Sequence, residues 1–263
     1  MSKIFVFQAD MFRHLLRAKL VNIRSELIEK IINIYIWAGC VIFVTGYLMQ
    51  SFGLVQGFGP FQLAGILAAV GLFELYGNTV ALVADLEGNR ILSYYLTLPS
   101  SVGTVLMSSV FYYLIISMSV CIALLPLGKF ILWNQFNLET IALTKLLILM
   151  IVINFFWAIF TFVLASYLLT IKKLGLAWCR VIFPLWFLGG FQFSWMAINA
   201  VSPMLSYVML LNPVIYATEG VRAALLGQGE YLSFWTCCFV MVILYFIISW
   251  WAFKALKKRL DLV

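Results

Sequence analysis

Charge is what this chain has least of. Asp, Glu, Lys and Arg make up 10% of its 263 residues, against about 25% in a soluble domain. Apolar residues make up 65%, where about 45–50% is usual. Water could not solvate such a surface, so the composition predicts an integral membrane protein with no soluble domain. Histidine is nearly absent, His14 being the only one, which argues against a histidine metal cluster. The cysteines Cys40, Cys121, Cys179, Cys237 and Cys238 all lie in apolar runs without metal-ligand spacing. They read as small buried apolar residues. No GxxxxGKS/T occurs: Gly128-Lys129 is followed by Phe130 and lacks the upstream glycine. ATP therefore cannot bind this chain through a P-loop. GxSxG and HExxH are also missing, and no residues cluster as a catalytic site would require. The sequence predicts no enzyme, no cofactor and no metal in this chain.

What is present is a series of long apolar runs punctuated by charge. A helical span needs about 20 residues. The Gly/Pro stretch 50–60 divides the first long run, giving spans at about 31–51 and 60–83. A third is expected at about 101–127, with Pro99-Ser100-Ser101 supplying a serine N-cap. Lys145 and Lys172 bracket a fourth. A fifth starts at Arg180 and runs to about residue 200. Glu230 and Lys254 bracket a sixth. With six spans both termini lie on one side, and that side receives fourteen of the seventeen Lys and Arg residues. The positive-inside rule makes it cytoplasmic. The same asymmetry, with anionic lipid, accounts for the net charge of +7 without any nucleic acid. The basic residues spread through 1–30 do not suit a cleavable signal peptide.

Four stretches stand out. In 1–30, Phe12, Leu16, Leu20, Ile23 and Leu27 recur at helical spacing beside Arg13, Arg17 and Arg24, as in an amphipathic interfacial helix. In 84–99, the cluster Asp85, Glu87, Asn89 and Arg90 precedes Tyr94 and Tyr95, too apolar for a free loop. A short cytoplasmic helix with a docking surface fits this pattern. Glu74 lies inside the second span, where a carboxylate costs about 2.5–3.5 kcal/mol. It reads either as an interhelical hydrogen-bonding group or as a proton or cargo site. The fifth run carries Pro184, Gly189-Gly190 and the aromatics Trp186, Phe187, Phe191 and Trp195. These could line a pathway or face lipid. Beyond it, 211–229 (LNPVIYATEGVRAALLGQG) falls outside the membrane on this topology. Its Glu219 and Arg222 share a helical face. They would either pin an outer element or touch cargo.

The order of these parts, with Asp85 to Pro99 ahead of the third span and the NPxxYAxEGxR run of Asn212, Pro213, Tyr216, Glu219, Gly220 and Arg222, resembles the membrane subunit of a type-2 ATP-binding-cassette exporter. The layout match covers nearly the whole chain, and the sequence-level match about forty residues. The resemblance implies an all-α fold of six spans with an N-terminal connecting helix at 1–30. The transmembrane domain would occupy 31–254, with a coupling helix at 84–99 and outer re-entrant half-helices at 203–229, followed by a basic cytoplasmic tail at 255–263. Asp85, Glu87, Arg90, Tyr94 and Tyr95 would engage the ATPase. Asn212, Pro213, Tyr216, Glu219 and Arg222 would form an outer gate. Glu74, Trp186, Phe187, Phe191 and Trp195 are candidates for the pathway. The implied partners are a second copy of the chain, membrane lipids and two copies of a cytoplasmic P-loop ATPase holding ATP and Mg. The implied location is a bacterial inner (plasma) membrane, and the cargo is a lipid-like, lipid-linked glycan or drug molecule. The competing reading is a proton-coupled secondary carrier using Glu74.

Overall fold

The structure, a computed structural model, describes residues 2–21, 23–53, 57–88, 90–168 and 170–260. Asn89, the centre of the 50–60 stretch and the last three residues of the basic tail lie outside these. Among the described residues there are helices and turns and no strand. Five helices are long and apolar enough to cross a membrane. This is a multi-pass helical membrane protein.

Helix α1 (Ser2–Leu20) is followed by α2 (Ile23–Phe43), which continues through a π turn (Val44–Leu48) to Ser51. Next come α3 (Phe58–Glu87), the short α4 (Ile91–Thr97), α5 (Val102–Ile131) and α6 (Leu143–Tyr167). The following stretch is broken: α7 (174–187, with a π turn at Trp178–Ile182), α8 (Trp195–Val201), α9 (Pro203–Met209) and α10 (Pro213–Leu225). The last long helix is α11 (Phe234–Leu260).

The long helices alternate in direction. Gly46 near the end of α2 lies against Gly59 at the start of α3. Arg259 of α11 donates to the Ala165 and Leu168 carbonyls at the end of α6. The Ala142 amide before α6 donates to the Ala224 carbonyl of α10. One end of the bundle, here the near end, therefore gathers α1, α4, the start of α5 and the end of α11. The far end gathers residues 46–53, 57–60, 128–142 and 211–234. Two-thirds of the apolar stretch of α3 and of α6 is buried, against 22% for α2 and α11. α3 and α6 are thus the inner pair, and α2 and α11 expose apolar faces such as Ile32, Ile36, Phe246 and Trp250.

Several boundaries differ from the sequence expectation, for one reason. Charged residues end a membrane segment, but backbone hydrogen bonds carry the helix further. The first long helix starts at Ile23 rather than 31, so residues 23–30 belong to it and not to the connecting helix. The second runs to Glu87, so the expected coupling helix at 84–99 is shortened to Ile91–Thr97. The last absorbs the basic tail as far as Leu260. At the start of α5, Ser101 caps as expected, its hydroxyl accepting from the Thr104 amide at 3.1 Å.

The larger correction concerns the fifth run. It is not one helix from 180 to 200. Gly189-Gly190 ends α7, with Gly190 at φ +74°, a conformation that favours glycine. Ser194 and Ser202 then cap α8 and α9, accepting from the Ala197 and Leu205 amides. Pro203, lacking an N–H, suits the first turn of α9. The run is as apolar as a span, but its turn residues cut it into pieces.

Candidate functional site

At the near end, α4 buries Leu92 in the core and is clamped at its start by one side chain. The two carboxylate oxygens of Asp85 accept the backbone amides of Ile91 (2.8 Å) and Leu92 (2.9 Å). Those amides open α4 and have no partner within it. Arg90, just before them, sits at φ +53°, so the chain reverses sharply between α3 and α4. Glu87 is exposed and accepts the Ile171 amide from the turn after α6 (3.2 Å). Arg90 and Tyr94 are exposed, while Tyr95 is half-buried beneath the Lys19 ammonium, 5.6 Å from its ring. Of the five expected coupling residues, Asp85 is thus a clamp. Glu87, Arg90 and Tyr94 form the outward surface, and Tyr95 turns to the interior.

Helix α1 packs on α5 chiefly through Leu15 and Met11, neighbours of the stripe read from the sequence and not members of it. The Phe12 ring meets Phe111 edge-on, and Gln8 accepts from Ser101 and Thr104. At Phe12 the stripe faces protein. Lys19 donates to the Ser108 and Ser109 hydroxyls. Burial pulls its ammonium down to about 8, with the Asp85 carboxylate opposing that shift.

Glu74 is paired. Lys30 of α2 donates to it and also bridges to Glu26 at 3.3 Å, and Glu26 in turn accepts from the Tyr112 hydroxyl. Lys30 and Glu74 are 20% and 15% exposed, and both line a cleft of about 470 Å³. Its other walls include Trp37 and Phe73, with Trp178, Phe183 and Trp186 from α7. Of the expected pathway residues, Glu74 and Trp186 belong to this cleft. Phe187 is exposed beside it, its ring against Phe183 and Trp186. Phe191 is 2% exposed, packed between Trp37 and Trp186. Trp195 is engaged elsewhere, its indole N–H donating to the Ser206 carbonyl. Sequence reasoning missed Lys30, Trp37 and Trp178. A signal existed for the first: Lys30 and Glu74 are equidistant from Phe52, inside the 50–60 stretch, so a hairpin there sets them face to face.

At the far end, α10 is stitched to everything around it. Asn212 caps it, accepting from the Val214 amide (2.9 Å) and donating to the Leu185 carbonyl (2.8 Å), with Pro213 in the first turn. Tyr216 packs on the main core. Thr218 donates to the Gly189 carbonyl (2.8 Å). The Glu219 carboxylate accepts the amides of Trp195 (3.0 Å) and Leu232 (3.1 Å). Arg222 donates to the carbonyls of Phe191 (3.2 Å) and Phe193 (3.0 Å) and lies 3.5 Å over the Phe61 ring. Glu219 and Arg222 pair at 3.4 Å, and both side chains are 0% exposed. Gly220 is needed for contact: a Cβ there would come within 2.6 Å of Leu149 and 2.9 Å of Cys237. The pair therefore holds a rigid cap on the 188–195 and 226–232 loops and faces no open space.

No protein-family model matches the chain, and no curated protein matches it.

Proposed function

We propose that this chain is the permease subunit of a type-2 ATP-binding-cassette exporter. It works as a homodimer driven by two separate P-loop ATPase subunits that bind ATP and Mg. The observation that carries this reading is the Asp85 clamp. It fixes a seven-residue helix rigidly to the end of the central helix α3 while leaving Arg90 and Tyr94 exposed. A rigid exposed helix at the base of a buried span suits the transfer of force from a partner. On this reading the near end is cytoplasmic. α7 and the 188–194 loop make the sixth crossing, and α9 and α10 are the outer re-entrant pair that closes the exit.

The cargo is amphiphilic: one wall of the α2–α3–α7 cleft is aromatic, and the other carries the Lys30–Glu74 pair. Aromatic faces suit apolar or ring-bearing groups, and an accessible ion pair suits a polar head. Each half of such a molecule finds its complement within one cleft.

The test is reconstitution. The purified chain in proteoliposomes with its ATPase should hydrolyse ATP faster than the ATPase alone and should accumulate an amphiphilic cargo only when ATP is present. Movement of cargo by the chain alone, driven by a proton gradient, would instead support the carrier reading.

A further inference from the structure

A second cleft opens at the near end, about 420 Å³ in volume, between α1, α3, α4 and α5. That is within the roughly 300–1,000 Å³ of small-molecule sites. Its acids are already engaged: Asp85 by the α4 amides, Glu26 by Lys30 and the Tyr112 hydroxyl. Its donors are not. Asn78 lines the cleft at 4% exposed, and its side-chain amide makes no hydrogen bond among the described residues. Tyr95 and Tyr113 line it as well, and neither hydroxyl has a hydrogen-bond partner among the described residues. Lys19 donates to two serines and has a third N–H to give. The cleft thus offers one cation and several idle donors, while the hydrogen-bonding capacity of its two carboxylates is taken up by the α4 amides, Lys30 and Tyr112. That set fits an acceptor-rich anionic group.

The cleft lies where the candidate spans α2 and α5 begin and α3 ends. We propose that this cleft binds a phosphate group, held by Lys19, Asn78 and the two tyrosine hydroxyls, and that its source is the phosphodiester headgroup of a membrane lipid. Leu82 and Ile91, also in the lining, would meet the glycerol and the first methylenes. A lipid seated there bridges the connecting helix α1 to α4. An anion beside Lys19 also favours its charged form, which burial disfavours. The site stands on its own residues, whether or not an ATPase docks on α4.

The test uses the full chain in detergent, titrated with dihexanoyl phosphatidylglycerol, with bound lipid counted by native mass spectrometry. Dihexanoylglycerol, which lacks the phosphate, and inorganic phosphate serve as comparison ligands. The expected result is saturable binding of the phospholipid and none of dihexanoylglycerol. Affinity should fall about tenfold in Lys19→Met and by a smaller factor in Asn78→Leu, in line with the loss of a charged and a neutral hydrogen bond. Asn78→Leu removes a group without a hydrogen-bond partner among the described residues, so it keeps the test open if Lys19→Met folds poorly. Equal binding of dihexanoylglycerol, or unchanged affinity in Asn78→Leu, would overturn the site. Displacement of the lipid by millimolar inorganic phosphate would overturn the lipid source.

Discussion

Two acid–base pairs in this chain differ in what surrounds them. Glu219 and Arg222 are both 0% exposed, and backbone amides and carbonyls from two loops supply all their further hydrogen bonds, with the Arg222 Nε alone left unpartnered among the described residues. Lys30 and Glu74 are 20% and 15% exposed, and their open side faces an aromatic cleft. The first pair is sealed in by the fold itself. The second has room for something else. Charge in a membrane protein is therefore not functional by position alone. What decides is whether the remaining donors and acceptors are already engaged.

The largest expected effect follows from breaking the closed pair. Arg222→Ala leaves Glu219 buried and strips two carbonyls, so it should cost about 3–5 kcal/mol, read as lost thermal stability in detergent. If Arg222→Ala melts with the wild type, the cap is not held as described. The open pair should behave in the opposite way. Lys30→Met should cost about 1 kcal/mol or less in stability, as for partly exposed pairs, yet alter cargo affinity. Glu74→Gln sharpens this contrast: export should persist within about tenfold, equivalent to about 1.4 kcal/mol, whereas a proton carrier would lose transport altogether.

Asp85 belongs with the closed pair, although it lies at the opposite end. Asp85→Asn weakens the cap on α4, by about 1 kcal/mol judged from other helix caps. Export should drop more than ATP hydrolysis does, because the helix would still dock but transmit less. An equal drop in both would point to lost assembly. The smallest effect is on Lys19. Its folded value of about 8 lies below the ordinary 10.5, so the folded chain binds fewer protons than the unfolded one between those values. Stability from this residue therefore rises as pH climbs through that window. Carbon-13 NMR of the reductively methylated protein, with Lys19→Arg as the assignment control, should show a midpoint near 8; a midpoint above 10 would mean an ammonium in open water.

The helical membrane architecture was legible because long apolar runs have few other outcomes. The boundaries were not, since Lys30, Asp85 and Lys254 end the apolar run without ending the helix. The fifth run misled because its hydropathy is that of a span, while Gly190, Ser194, Ser202 and Pro203 cut it. Glu219 and Arg222 were visible as neighbours on one face. Their partners, Phe61, Phe191, Trp195 and Leu232, are scattered and could not be found by spacing. Asp85 stood out as a charge in a loop, but only the fold shows it gripping the helix that follows. Lys30 and Glu74 could have been paired by folding the sequence about Phe52. The aromatic wall from α7 could not, because it depends on how the broken run returns to α3.

The central claim is that this chain is moved by an ATPase seated on α4. The most direct measurement is purification of the intact chain from its native membrane under mild detergent, followed by mass spectrometry and an ATP hydrolysis assay. A P-loop ATPase in equimolar amount, released when Tyr94→Asp alters the exposed face of α4, is the predicted result. A chain that purifies without any ATP-hydrolysing partner and still transports in proteoliposomes would contradict it.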